Sequence, residues 1–181
     1  MIDVAAEAML EATNAYVSLS ELMEKVGQRL AEITGAEWGY VCTSCSAAIN
    51  TVVAGAITGG DPEKMLRLPD TTGMKDEIIE EDCVRSGYEA VIQITGARVV
   101  TVETEVELRA AINERTALVF IDGDSEARSR IGVQRIIAIA NEYGIPVLVD
   151  AAAQRPDVPN RYLQMGATAV AYSGGKCLRG P

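Results

Sequence analysis

Along most of this chain, short runs of apolar residues alternate with segments of helical period, and that alternation restricts the possible folds more than any other feature. The runs are Tyr40–Val41, Met65–Leu68, Val99–Val102, Leu118–Ile121, Val147–Val149 and Ala169–Tyr172. Between them lie Ala47–Ile57, Tyr88–Thr95, Glu105–Asn113, Val133–Tyr143 and a short stretch at Arg161–Met165, with Gly59, Gly96, Gly144 and Gly166 placed to stop helices. Such alternation predicts an α/β fold with a mostly parallel sheet and helices on both faces. The near-continuous apolar runs fit strands buried on both sides.

The first residues read differently. Met1–Ala15 is alanine-rich and helix-prone. Ser18-Leu19-Ser20-Glu21 reads as a capping box before a helix with Leu22, Val26, Leu30 and Ile33 on one face, and Gly35 suits its end. Residues 1–35 are therefore expected to form an N-terminal helical arm, and 36–181 the sheet domain. Asp61–Arg85, charged and interrupted by Pro62, Pro69 and Gly73, reads as a long connection. The chain stops at Arg179-Gly180-Pro181, directly after a glycine-rich turn, so an incomplete domain is expected.

Composition removes several functional classes. A net charge of −10 opposes a broad grip on nucleic acid or anionic lipid. The chain has no histidine, which excludes His-based triads and His metal sites. No apolar run approaches the ~20 residues of a membrane span, and Met1–Asp3 lacks the basic stretch of a signal peptide. Cys42 and Cys45 form a C-x-x-C pair with no second pair to complete a zinc site, so no metal is expected. With Cys83 and Cys177 they read as reduced thiols of a cytoplasmic protein, a redox pair being the alternative.

In open α/β sheets, ligands bind beyond the carboxyl ends of the strands. After Tyr40–Val41 come Cys42-Thr43-Ser44-Cys45-Ser46, small and hydroxylated residues leading into a helix. Free amides there suit a phosphate, although an ordinary helix cap reads the same way. After Val147–Val149 comes Asp150, placed to face a metal, a ribose or a protonated ring nitrogen, or simply to cap a loop. After Ala169–Tyr172 comes Ser173-Gly174-Gly175-Lys176, whose lysine is either a nucleophile or a solvated surface group. Taken together, a phosphate seat, a strand-end acid and a glycine-flanked lysine are what pyridoxal phosphate needs. A P-loop is excluded, since Val170 and Cys177 stand where glycine and Ser or Thr are required, and no G-x-G-x-x-G follows any strand.

Val147–Gln154, then Gly166-Ala167, then Tyr172–Pro181 resemble the fold-type I pyridoxal-phosphate enzymes. Within them the chain is similar to the selenocysteine-synthase-like group, which includes L-seryl-tRNA(Sec) selenium transferase and the D-glucosaminate-6-phosphate ammonia-lyase relatives. Leu68–Met74 and Arg85-Ser86-Gly87-Tyr88 look more like the ammonia-lyase side. The resemblance implies a large-domain fold of the pyridoxal-phosphate-dependent transferase type and pyridoxal 5'-phosphate as cofactor. It implies that Lys176 bonds the cofactor's aldehyde and that Asp150 pairs with the pyridinium nitrogen. Ser173 and the amides around Ser44, Cys45 and Ser46 would hold the phosphate. Gln154 would approach the phenolic oxygen, and Arg85 would meet a carboxylate or phosphate of the substrate.

The implied activity is α,β-elimination on a small-molecule amino acid or amino sugar acid, by a homo-oligomer (a dimer or higher) with no membrane partner. The alternatives are selenium-transferase-like chemistry, which alone would bring in tRNA, and a non-catalytic scaffold. Two departures stand out. Relatives tend to carry histidine where this chain has Val84. They also continue past the lysine motif with another strand, an interface region and a small C-terminal domain.

Overall fold

The computed structural model describes residues 2–85 and 87–180; Met1, Ser86 and Pro181, which fall in the expected first helix and in two of the quoted motifs, lie outside the described residues. The strands are β1 (Glu77–Glu81), β2 (Arg98–Val102), β3 (Thr116–Asp122), β4 (Val147–Asp150) and β5 (Ala169–Ala171). They form a five-stranded sheet in the order β2-β1-β3-β4-β5, and every neighbouring pair is parallel.

The order explains the layers. The chain steps outward from β1 to β2, crosses back over β1 to β3, and then continues the other way to β4 and β5. Because crossovers between parallel strands are right-handed, the direction of each step decides which face its helix covers. The step to β2 uses α5 (Glu89–Gln93), which shares a face with α3 (Cys45–Thr58). The opposite steps use α6 (Glu105–Ala111), α7 (Val133–Glu142) and α8 (Arg161–Gln164), which cover the other face. Along β3, Leu118 and Phe120 pack with Ile49, Val53, Ile57 and Ile92, whereas Val119 and Ile121 pack with Leu108, Ile136, Ile137 and Tyr162. This two-residue period buries both faces of the sheet. The reversal of direction lies between β1 and β3, the place where ligands enter open sheets.

Upstream, α1 (Asp3–Ala12) buries none of its residues. In α2 (Leu19–Thr34), the Ser18 side chain accepts from the Glu21 amide at 3.4 Å, and Gly35 ends the helix at φ 72°. Gly27 lets the chain pass close: a Cβ there would lie 2.6 Å from the Trp38 ring and 2.7 Å from the Gly39 carbonyl oxygen. Among the described residues, no helix is long and apolar enough to cross a membrane.

Three expectations for the strands change. Tyr40–Val41 is not a strand; both residues are exposed and the segment is the lead-in to α3. Met65–Leu68 is not a strand either. Met65 lies in α4 (Pro62–Arg67), because Asp61 caps the amides of Glu63 at 2.9 Å and Lys64 at 3.4 Å, and Pro62 starts the first turn. Conversely, the expected long connection Asp61–Arg85 contains β1, a central strand flanked by β2 and β3. Two of its glutamates, Glu77 and Glu81, are buried with hydrogen-bond partners. Glu77 takes hydrogen bonds from Arg98 and, at 2.8 Å, from Asn113 Nδ2. Glu81 accepts from the Arg130 and Ile131 amides at 2.6 and 3.1 Å and from the Ser129 hydroxyl.

Candidate active site

All five strands point the same way, so their carboxyl ends share one edge of the sheet. Asp150 closes β4, in register with Asp122 of β3 and Ala171 of β5. The packing of α3 against β3, β4 and β5 brings its first turn to this edge. Ser44 caps that helix, its Oγ accepting from the Ala47 amide at 3.0 Å. The following amides, at Cys45 and Ser46, have no carbonyl four residues back within the helix, and they carry the positive end of its dipole.

Cys45 and Asp150, 105 residues apart, meet here. The thiol donates to Asp150 Oδ1 at 3.5 Å, and the same oxygen accepts from the Ala152 amide at 2.9 Å. Burial pushes the Asp150 carboxyl above its usual range; the two hydrogen bonds oppose this, and the charges of Asp122 and Asp124 add to it. Burial, followed by the Asp150 charge, pushes the Cys45 thiol up to about 12, while the Lys176 cation acts in the opposite sense.

A buried acid whose two hydrogen bonds both fall on Oδ1, with further acids around it, is a good partner for a cation at Oδ2. A protonated ring nitrogen meets that description. The donor set around it also fits: a lysine, a helix amino terminus and a serine.

The loop after β5 lies against the turn after β4. The Ser173 amide donates to the Ala152 carbonyl at 3.3 Å, the Lys176 amide to the Ser173 carbonyl at 3.3 Å, and the Cys177 thiol to the Ala153 carbonyl at 2.9 Å. Ser44, Cys45, Ser46, Asp150, Ser173 and Lys176 therefore converge on one edge. Gln154 lies beside them, held by its neighbours. Its Nε2 donates to the Gly123 carbonyl, and its Oε1 accepts from Arg161 Nη2 and the Tyr162 hydroxyl, each at 3.0 Å. That hydroxyl also donates to Glu126 at 2.9 Å, and the Arg161 guanidinium carbon sits 4.4 Å from the Tyr162 ring centroid.

Arg85 stands apart. It follows β1, which β3 separates from β4. Its guanidinium bonds Glu89 through Nε at 2.9 Å and Nη2 at 2.6 Å. Val84, where the resemblance leads one to expect histidine, is 4% exposed and belongs to the buried interior. The strand-end rule also reaches residues that the sequence reading passed over. Asp122-Gly123-Asp124 follows β3, and there Asp122 caps the Ser125 amide at 3.2 Å while Asp124 accepts from the Ala153 amide at 2.9 Å. All four cysteines are unpaired.

Comparison with known proteins shows the family and the fold. The family described as Cys/Met metabolism PLP-dependent enzyme matches residues 7–181. A D-glucosaminate-6-phosphate ammonia lyase from Salmonella typhimurium is 32% identical over 186 residues, covering 97% of this chain and 50% of the lyase. A 5'-C-glycyluridine monooxygenase-decarboxylase from a Streptomyces species is 33% identical, with 96% of this chain and 46% of that protein covered. Among solved structures, a D-glucosaminate-6-phosphate ammonia-lyase superposes with a TM-score of 0.91 at 29% identity, over 99% of this chain and 51% of the other. An aspartate aminotransferase from Thermotoga maritima, at 17% identity and a TM-score of 0.63, shares the fold. The chain spans about half the length of the curated relatives it matches.

Proposed function

Since this chain belongs to the Cys/Met metabolism PLP-dependent enzyme family, we propose that it is the cofactor-bearing part of an enzyme that eliminates ammonia from an amino acid or amino sugar acid. The observation that supports this reading is that the α3 amino terminus meets Asp150 at one edge of the sheet and the loop carrying Lys176 returns to the turn after β4. Similarity to two ammonia-lyase relatives, one in sequence and one in structure, favours elimination over the other chemistries of the fold.

When bound, pyridoxal 5'-phosphate supplies an electron sink that acidifies the proton on the substrate carbon bearing the amine. Asp150 Oδ2 holds a proton on the ring nitrogen. The Cys45 and Ser46 amides, with the Ser44 and Ser173 hydroxyls, receive the phosphate. Lys176 Nζ would hold the cofactor's aldehyde and, once substrate is bound, would serve as the base for the α-proton. Gln154, already oriented by Arg161 and Tyr162, faces the phenolic oxygen. Arg85 binds an anionic group of the substrate, a role its planar fork suits. Loss of a β-hydroxyl as water would use the proton that Lys176 took, and addition of water to the product would release ammonia and a keto product.

In this proposal residues 1–35 are an arm outside the catalytic sheet and 36–181 the partial cofactor-binding domain. The protein works as a homo-oligomer in the cytoplasm, where its unpaired thiols stay reduced. A charge of −10 disfavours a tRNA substrate.

The test is chemical. The chain is mixed with pyridoxal phosphate, reduced with borohydride, digested and mapped by mass spectrometry. The expected result is one modified peptide, carrying the label on Lys176 and absent from Lys176→Ala. Folded protein with no label, or with label spread over Lys25, Lys64 and Lys75, refutes the cofactor site and leaves the scaffold reading.

A further inference from the structure

The end of β1 holds a side chain to which the proposed chemistry gives no work. Glu80 is 4% exposed, and its Oε1 is buried without a hydrogen-bond partner. Arg85 Nε lies 3.4 Å from that oxygen but donates to Glu89 instead. The charged groups around Glu80 come from three elements. Arg85 and Asp82 belong to the turn after β1, Glu89 to α5, and Asp122 to the end of β3. Asp82 faces Arg85 Nη1 at 3.7 Å and is half exposed, so solvent screens it; Glu89 is mostly buried.

We infer that Glu80 is a positioning residue for an anion subsite on Arg85: neutral, it seats the guanidinium and lets Arg85 receive a substrate carboxylate or phosphate, and ionised, it closes that subsite. The inference rests on the reading of Arg85 as the contact for the substrate's anionic group. Its logic is charge balance behind a half-exposed guanidinium. Arg85 and Glu89 together sum to zero and Asp122 is the same in both states, so the state of Glu80 decides how much buried negative charge an incoming anion meets. Ionised Glu80 adds a buried negative charge directly behind the guanidinium, and the anion is repelled. Burial and the Glu89 charge raise the Glu80 carboxyl from its usual 4.5 to about 7, with Arg85 opposing. The change of state therefore falls within the working pH range of most enzymes.

Sulfate is the probe, because its charge is constant between pH 6 and 8. Binding is measured by calorimetry on the full chain with pyridoxal phosphate present, so that the phosphate seat at α3 is occupied. Wild type is expected to bind sulfate about tenfold more weakly at pH 8 than at pH 6, as linkage to one proton near pH 7 requires. Glu80→Gln, permanently neutral, should hold the pH 6 affinity at both values. Arg85→Ala should lose the sulfate site.

A Glu80→Gln variant that retains the wild-type pH dependence overturns the role of Glu80. An Arg85→Ala variant that binds like wild type at pH 6 overturns instead the reading of Arg85 on which it rests. A measurement on wild type needs no substitution at Glu80: carbon-13 carboxyl titration of Glu80 should shift to higher pH when sulfate is added, and an unmoved midpoint refutes the coupling.

Discussion

Gly123 is the point where the sheet leaves least room beside the proposed cofactor acid. It follows β3 and is buried; a Cβ built there would lie 2.8 Å from the Asp150 carbonyl oxygen, 2.9 Å from Val149 Cγ1 and 3.0 Å from the Tyr162 hydroxyl. Two of these atoms belong to β4, one of them main chain, so relief requires the end of β4 to move. Overpacking a well-filled interior costs about 1–3 kcal/mol. With a carbonyl and a branched side chain both in the way, Gly123→Ala should lose about 2 kcal/mol, about thirtyfold in the unfolding constant.

Urea unfolding followed by circular dichroism reads this as a lower midpoint at unchanged slope. Gly55→Ala is the internal control. It lies inside α3 with no atom within 4 Å of a built Cβ, so it should gain about 0.5–1 kcal/mol from helix propensity and unfolded-state entropy. Pyridoxal phosphate affinity adds a second readout, because a shifted Asp150 should weaken binding in Gly123→Ala and leave Gly55→Ala unchanged. If Gly123→Ala unfolds at the wild-type midpoint, the close approach does not constrain β4 and the reasoning fails.

Other tests follow from the same contacts. With its thiol pushed up to about 12 beside Asp150, Cys45 should resist iodoacetamide at pH 8 while exposed Cys177 is alkylated; mass spectrometry of timed digests resolves the two, and equal rates refute the assignment. Glu81→Ala orphans the part-buried amides of Arg130 and Ile131 and should cost about 1–3 kcal/mol in urea unfolding, with a smaller loss for Glu81→Gln. Glu80 has its folded-state pKa raised from 4.5 to about 7, so its ionisation removes stability as pH rises across that window and costs no more above it. Glu80→Gln should therefore match wild type near pH 4.5 and exceed it at pH 8 by up to about 3 kcal/mol; an equal or lower stability at pH 8 shows that Glu80 is not strained by its charge.

Where the polypeptide obeys one rule at a time, its fold is readable. Val147–Val149 and Leu118–Ile121 are apolar without interruption because both faces of the sheet are covered, and they appear as strands where expected. Lys176, Asp150 and Ser44 are marked locally by glycines, a strand end and a helix cap, and the fold brings their segments to one edge. β1 escaped because Glu77, Glu80 and Glu81 make Glu77–Glu81 look solvated. The burial of Glu77 and Glu81 depends on Arg98, Asn113, Ser129 and the amides of residues 130 and 131, all distant in sequence. Met65–Leu68 failed for the opposite reason: a local signal, the Asp61 cap with Pro62, outweighed an apolar run too short to specify a strand.

The same physics explains why the candidate site draws on residues so far apart. A right-handed crossover returns each parallel strand to the sheet in the same direction, so every strand delivers its final residue to one edge. Asp122 and Asp150 are register partners for that reason alone, and the Cys45 thiol reaches Asp150 because α3 packs across β3, β4 and β5 with its amino terminus at that edge. Negative charge accumulates there: Glu80, Asp122, Asp124 and Asp150 all lie at or just beyond strand ends. Burial first, and neighbouring acids after it, raise the Asp150 and Glu80 carboxyls. In the proposed reading, a ligand with a cationic ring offsets the burial of Asp150, and an anionic substrate group enters beside Glu80 only when that acid is neutral. On that reading, two parts of one reactant pair, opposite in charge, are sorted to the two sides of β3 by acids that differ in what neutralises them.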